Sequence, residues 1–188
     1  MGSWLSVIAS NVIGGLVLLS FMQFIHDVTR ELYSDMLAHT ALVNLDNLVR
    51  LIEYDFLRIG IGVNDNQQAI LLHADSTDLS YQLDGNNDGV LETMHYYLSD
   101  ASAATMTDNP DDRILYCSVD GGPSQMVSAG ITRFMIRYYD AAGNESADLE
   151  QIRLLEMNLA LESEMLYDNE RSRLVWQGKF TPPNLIPH

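Results

Sequence analysis

Basic residues are scarce in this chain: Lys and Arg number 10 against 26 Asp and Glu, a formal net charge of −16 over 188 residues. So acidic a surface repels a phosphate backbone, which excludes a nucleic-acid-binding role, and it weakens attraction to anionic lipid headgroups. Cysteine occurs once, as Cys117, so no intramolecular disulfide can form and stability has to come from packing or a metal. A lone Cys without a partner motif reads as a small buried hydrophobe rather than a nucleophile. Charge is absent from residues 1–25, and neither Pro nor Gly occurs between Ile25 and Gly60. Disorder is excluded by a hydrophobic content of 47%.

The uncharged stretch from Trp4 to Ile25 reads WLSVIASNVIGGLVLLSFMQFI. As a helix it spans about 33 Å at ~1.5 Å per residue, enough to cross a hydrocarbon core of ~30 Å. It is expected to be a transmembrane and assembly helix, with Trp4, Val7, Phe21 and Phe24 on its apolar surface. Gly14 and Gly15 either soften it or allow close helix packing. Ser6, Ser10, Asn11, Ser20 and Gln23 can be satisfied within the helix or by a neighbouring one. The rival reading, a cleaved secretory signal, lacks a basic n-region and would need a break that the sequence does not offer.

Beyond Ile25, Leu42, Leu45, Val49, Ile52, Phe56 and Ile59 recur at alternating spacings of three and four. Asn44, Asp46, Asn47, Arg50 and Glu53 fall on the opposite face. One long helix is therefore expected over residues 4–59, ended by Gly60 and Gly62, its stripe packing on a head. After Gly62 the period changes to short runs at 69–74, 78–83, 91–98, 113–119, 131–139, 152–163 and 172–180, separated by Gly-, Asn- and Asp-rich turns. The fold class is α+β: a long N-terminal helix packed on an antiparallel β-sheet head. Its two parts are residues 1–62, the helix, and 63–188, an acidic β-rich head. Residues 64–128 alone carry eleven acids and one base. That bias suits solubility in a cation-rich habitat, or a basic partner.

The loop Asp84-x-Asn86-x-Asp88-Gly89-x-x-Glu92 places oxygen ligands at alternate positions, with Gly89 permitting a sharp turn. Asp84, Asn86, Asp88, the Val90 carbonyl and Glu92 are thus candidate ligands for a hard cation, with calcium the fitting cofactor. Where an EF-hand has a bidentate Glu at the twelfth position, this loop has His95. A solvated hairpin loop is the alternative. The histidines form no His-x-x-x-His spacing and no Ser-His-Asp order with a nucleophile-elbow glycine motif, so His73 and His95 are expected to be surface or packed residues. Glu162 and Glu164 share one strand face without a sugar cleft, and no enzymatic activity is expected. Of Tyr96-Tyr97 and Tyr138-Tyr139, one member each should be core and the other outward.

In order along the chain, these stretches resemble the type IV pilin superfamily. The helix ends Asp55-Phe56-Leu57-Arg58-Ile59-Gly60. The head carries Tyr81-Gln82-Leu83-Asp84-Gly85, Glu92-Thr93-Met94-His95-Tyr96-Tyr97-Leu98, Arg113-Ile114-Leu115-Tyr116 and Gly130-Ile131-Thr132-Arg133-Phe134. Tyr138-Tyr139-Asp140 with Gly143 and Pro182-Pro183-Asn184-Leu185 complete the series. The head is most similar to W-type minor pilins and J-type minor pseudopilins of type II secretion. The resemblance implies a minor structural subunit of a membrane-anchored filament or secretion-type assembly. Its helix would meet other pilin-like or membrane subunits and its head would lie outside the cytoplasm. It also implies processing, with Gly2 before the cleavage point and Ser3 as the first mature residue. The prepilin motif is not matched, however. No basic residue precedes Gly2, and the fifth mature position, a Glu in the family that pairs with a neighbour's N-terminal amine, is Val7. Two further expectations follow: an uncleaved single-pass accessory subunit of another membrane complex, or a membrane-anchored adhesive or ligand-binding head. A positive-inside count with Arg30 as the nearest base favours a cytoplasmic head, but one charge orients a large domain weakly, and the resemblance implies an extracytoplasmic head.

Overall fold

The computed structural model describes residues 2–63, 69–107, 109–162, 171 and 173–185. Helix α1 runs Gly2–Leu57, within two residues of its expected span at both ends. Glycine ends it by geometry. Gly60 and Gly62 have φ of 78° and 77°, and a Cβ on them would lie 2.8 Å from Ile70 Cγ2 and 2.5 Å from Asp84 Cβ respectively. Both the left-handed backbone and the close approach require the missing side chain. The turn so formed is tied to the sheet. The Gly60 amide donates to the Gln82 carbonyl at 2.9 Å, the Asp84 amide to the Ile61 carbonyl at 2.6 Å, and the Asn184 side chain to the Ile59 carbonyl at 3.2 Å.

The chain divides into two units, Met1–Thr40 and Ala41–His188. The expected division at residue 62 followed the helix; compactness divides the chain earlier, because the last turns of α1 belong to the core of the second unit. In that unit seven strands form one antiparallel meander in chain order. They are β1 (Leu71–Ala74), β2 (Asp78–Leu83), β3 (Glu92–Leu98), β4 (Arg113–Val119), β5 (Gln125–Tyr139), β6 (Leu154–Glu162) and β7 (Arg173–Phe180). All seven expected strands are present, and β5 begins six residues before its expected start at 131. Its first half pairs with β4 and its second half with β6, and register shifts at Arg113/Leu115 and Ile131/Arg133 bend it between the two. The sheet curls, so that the turn between β1 and β2 reaches β5. The Ile136 amide donates to the Ser76 carbonyl at 2.7 Å, and the Tyr138 hydroxyl donates to the Asp75 carbonyl at 2.8 Å.

The inner face of this sheet and the end of α1 share one hydrophobic core. Leu45, Val49, Ile52, Phe56 and Ile59 are buried as the stripe predicts, joined by Leu48. Leu42 is the correction: it is half exposed, because the buried cluster begins only at Leu45, one helical turn further on. The opposite face from Asn44 to Glu53 is exposed as expected. Phe56 is fully buried and takes edge-on contacts from Tyr81, Tyr96 and Phe180 with ring centroids 6.4, 5.8 and 5.5 Å away. It touches β2, β3 and β7 at once through aromatic rings. The long helix on an antiparallel sheet is a pilin-like architecture.

Phe56→Ala is expected to cost ~3–5 kcal/mol, in the range of buried Phe truncations. Leu42→Ala is expected to change stability by no more than ~0.5 kcal/mol, as for an exposed site. Denaturant melts of the full chain in detergent, followed by tyrosine fluorescence, check both.

Candidate functional site

The first unit is a helix with an uncovered apolar surface. Trp4, Val7, Phe21 and Phe24 are all more than half exposed. A Cβ added at Gly14 or Gly15 would meet nothing within 4 Å, so both positions are open to close approach by another chain. The Ser6 hydroxyl is satisfied within the helix, donating to the Ser3 carbonyl at 2.8 Å. That hydroxyl thus costs little in an apolar medium. Gly2 opens the helix and Ser3 lies in its first turn. Within Ser6–Leu57 the helix is long and apolar enough to cross a membrane, and none of its apolar window is buried.

In the second unit, the last turns of α1 carry a polar residue on the margin of the core. The Tyr96 hydroxyl donates to the Asp55 carboxylate, and the Tyr81 hydroxyl reaches the Asp55 carbonyl at 3.4 Å. Asp55, Leu51, Tyr96, Cys117, Val119 and Met126 line an open groove beside the helix. Cys117 is half buried and packs against the core. Burial pushes its thiol above the usual range, which suits the expected packing role and not a nucleophile. Each tyrosine pair divides as the pleat requires: Tyr96 and Tyr138 are buried, while Tyr97 and Tyr139 are partly exposed.

The acidic loop follows β2 directly. Asp84 is buried, and its two carboxylate oxygens accept the amides of Asp88 at 3.1 Å and Gly89 at 2.9 Å. Glu92, at the start of β3, accepts the Gly85 amide at 2.7 Å. Asp88 accepts the Val90 amide at 2.8 Å. Together Asp84, Asp88 and Glu92 bring one oxygen each within 4.8 Å of the others, so three of the five expected ligands converge. The Asn86 side chain is engaged inside the loop: its oxygen accepts the Asp88 amide at 2.9 Å and its nitrogen donates to Asp88 at 3.0 Å. The Arg58 guanidinium donates to the Gly85 carbonyl at 2.6 Å and lies over the Tyr54 ring, which brings a positive charge to the edge of the loop. Chemically the arrangement is a cup of carboxylate oxygens with lone pairs left over after the backbone amides are served.

The spacing-based reading of His73 and His95 left out what the fold does to them. Both imidazoles turn to Asp78 on the outer face of the sheet, at 3.9 and 2.9 Å. On the same outer side of β6, Glu156 is buried among cross-strand partners. Burial pushes its carboxyl up, but hydrogen bonds from Lys179 and Gln177 outweigh this and hold it below the usual value. Glu164, the expected same-face companion of Glu162, lies outside the described residues. No family model matches the chain, and no curated protein matches it.

Tyr81, Tyr96 and Tyr138 share a titration consequence. Burial, followed by nearby carboxylates, pushes all three hydroxyls upward. In the unfolded chain they ionise near ~10, so their contribution to stability is fully present below that pH and is lost as the pH rises above it. Each steepens the loss by up to ~1.4 kcal/mol per pH unit. Denaturant melts between pH 8 and 11 are expected to show this alkaline fall, and Tyr96→Phe to flatten it.

Proposed function

We propose that this chain is a structural subunit of a membrane-anchored, pilin-like assembly. The apolar first half of its helix packs beside equivalent helices in a membrane or filament, and its acidic head makes lateral contacts outside the cytoplasm. One observation carries the reading: a single helix is uncovered and apolar through Phe24, yet its last turns are the core of a β-sheet head. An apolar helix surface of that length is stable only against lipid or other helices. Within the pilin-like class, the order of motifs in the head supports a minor subunit of the W-type pilin or J-type pseudopilin kind.

Val7 in place of the family glutamate favours a second form of the same idea, an uncleaved accessory subunit or one that begins or caps an assembly. Mass spectrometry of the isolated protein separates these: a methylated N-terminus at Ser3 marks the processed pilin pathway, and an intact Met1 marks the accessory subunit. Assembly itself is tested by replacing Cys117 with Ala and introducing Cys at Phe21 or Phe24. Disulfide-linked dimers formed in membranes are the expected result. A carbonate-extractable protein that never cross-links at either position would overturn the proposal.

A hard cation at the acidic loop is part of this reading, supported by the mutual approach of Asp84, Asp88 and Glu92. Calcium fits their oxygens and offsets their repulsion. Millimolar calcium is expected to raise the thermal midpoint of the head, and Asp88→Asn to abolish the rise. An identical midpoint in calcium and in chelator would assign the loop to its hydrogen bonds alone.

A further inference from the structure

The acidity of the chain does not extend to every face of the head. Strand pairing sets Arg137 of β5, Glu156 of β6 and Lys179 of β7 in one row across the outer face, and Glu162 of β6 beside Arg173 of β7 in another. Arg133 stands on the same face as Arg137, because both alternate with the buried Phe134, Ile136 and Tyr138. Among the described residues of these three strands the face carries four bases, Arg133, Arg137, Arg173 and Lys179, against two acids, Glu156 and Glu162. The acids sit low and the bases stand clear of them. The Glu156 side chain is 7% exposed under a Lys179 at 61%, and Glu162 is 21% exposed beside an Arg173 at 50%. Neither Arg133 nor Arg137 has an ion-pair partner among the described residues. Val175, exposed on the same face, adds apolar surface for a partner to cover. An electropositive patch therefore stands on a chain of net charge −16.

The opposite sign gathers where β2 gives way to β3. Asp84, Asp88 and Glu92 approach one another within 4.8 Å. Asp120, in the turn between β4 and β5, lies alongside, its carboxylate accepting the Thr93 amide at 2.7 Å. Asp88 and Asp120 are exposed. Val90, in the same loop, is exposed too.

We propose that the basic outer face of β5, β6 and β7 docks onto the acidic β2–β3 loop and the Asp120 turn of a second copy of this chain. The inference rests on the reading of the chain as an assembly subunit and names the surfaces behind its lateral contacts. Charge complementarity selects the occupant: residues 64–128 carry eleven acids and one base, so the chain itself supplies the surface that its basic face attracts. Guanidinium groups suit carboxylate partners, which they meet through paired hydrogen bonds. Anchoring in one membrane holds copies at high effective concentration, so a weak contact of exposed charges is enough. The contact joins unlike surfaces. Each added copy leaves one surface of either sign open, and the contact extends a row of heads instead of closing a pair.

Disulfide cross-linking of the full chain in lipid vesicles tests the assignment, in chelator because a bound cation would offset the charge of the loop. In a Cys117→Ala background, one population carries Val175→Cys and the other Val90→Cys, neither of which alters a charge. Mixed vesicles are expected to give dimers linked between positions 175 and 90, and a chain carrying both substitutions a ladder of multimers. Arg133→Glu with Arg137→Glu should cut the yield at least about tenfold, because like charges then meet, while the thermal midpoint reports that the head is folded. Salt at ~1 M, where the Debye length falls to ~3 Å, should cut it similarly. Yields unmoved by both the reversals and salt would overturn the proposal, and so would dimers without a ladder. Helices that cross-link at Phe21 or Phe24 while positions 175 and 90 never do would overturn it and leave the subunit reading standing. Failure at all of these positions would remove that reading as well.

Discussion

Everything in the head rests on the burial of the last turns of α1 against the inner face of the sheet. Each strand contributes one apolar side to that contact, and the helix supplies the other. Phe56 stands at its centre, edge-on to rings from β2, β3 and β7. The polar features of the head are arranged around this contact and do not compete with it. Asp55, one residue earlier, is turned to the margin, where Tyr96 donates to it. Arg58, one residue after the helix ends, reaches the acidic loop. A meander folded without that helix would present an inner face rich in Leu, Ile and Tyr to water.

Much of this was legible in the sequence because helix and strand have different periods. The stripe from Leu45 to Ile59 repeats at three and four, and Gly60 and Gly62 mark its stop with the one residue that can hold φ near 78° at that spot. What was not legible depends on tertiary reach. Leu42 continues the stripe perfectly, but nothing in a periodicity says where the head ends. Leu48 is buried because the contact is wider than a single row of residues. The early part of β5, Met126 to Gly130, holds Ser, Ala and Gly, weak strand formers, and is a strand because β4 lies alongside it.

The acidic loop and the contacts of His73 and His95 with Asp78 differ in the same way. The acidic loop was visible from spacing because its carboxylates are neighbours in the chain, and the fold brings Asp84, Asp88 and Glu92 together as that spacing implies. Asn86 departs from it since its amide is spent on the Asp88 backbone, a local choice that spacing does not encode. His73, Asp78 and His95 lie on three strands, and a bulge sets the face of the first. No regular period contains an inserted residue, so a motif search over histidine spacing passes over the group.

The contact between Phe56 and Phe180 also has a consequence in time. Phe56 belongs to the first element of the chain and Phe180 to its last strand, so the ring cluster closes only after β7 has been synthesised. The intervening strands pair with their sequence neighbours and can form hairpin by hairpin as they emerge. The apolar stripe of the helix has no complete covering until then. During synthesis this chain therefore carries two exposed helix surfaces, one awaiting its own last strand and one, from Trp4 to Phe24, that stays uncovered by the described residues. Until β7 emerges, that stripe is open to the non-productive association that exposed apolar surface invites.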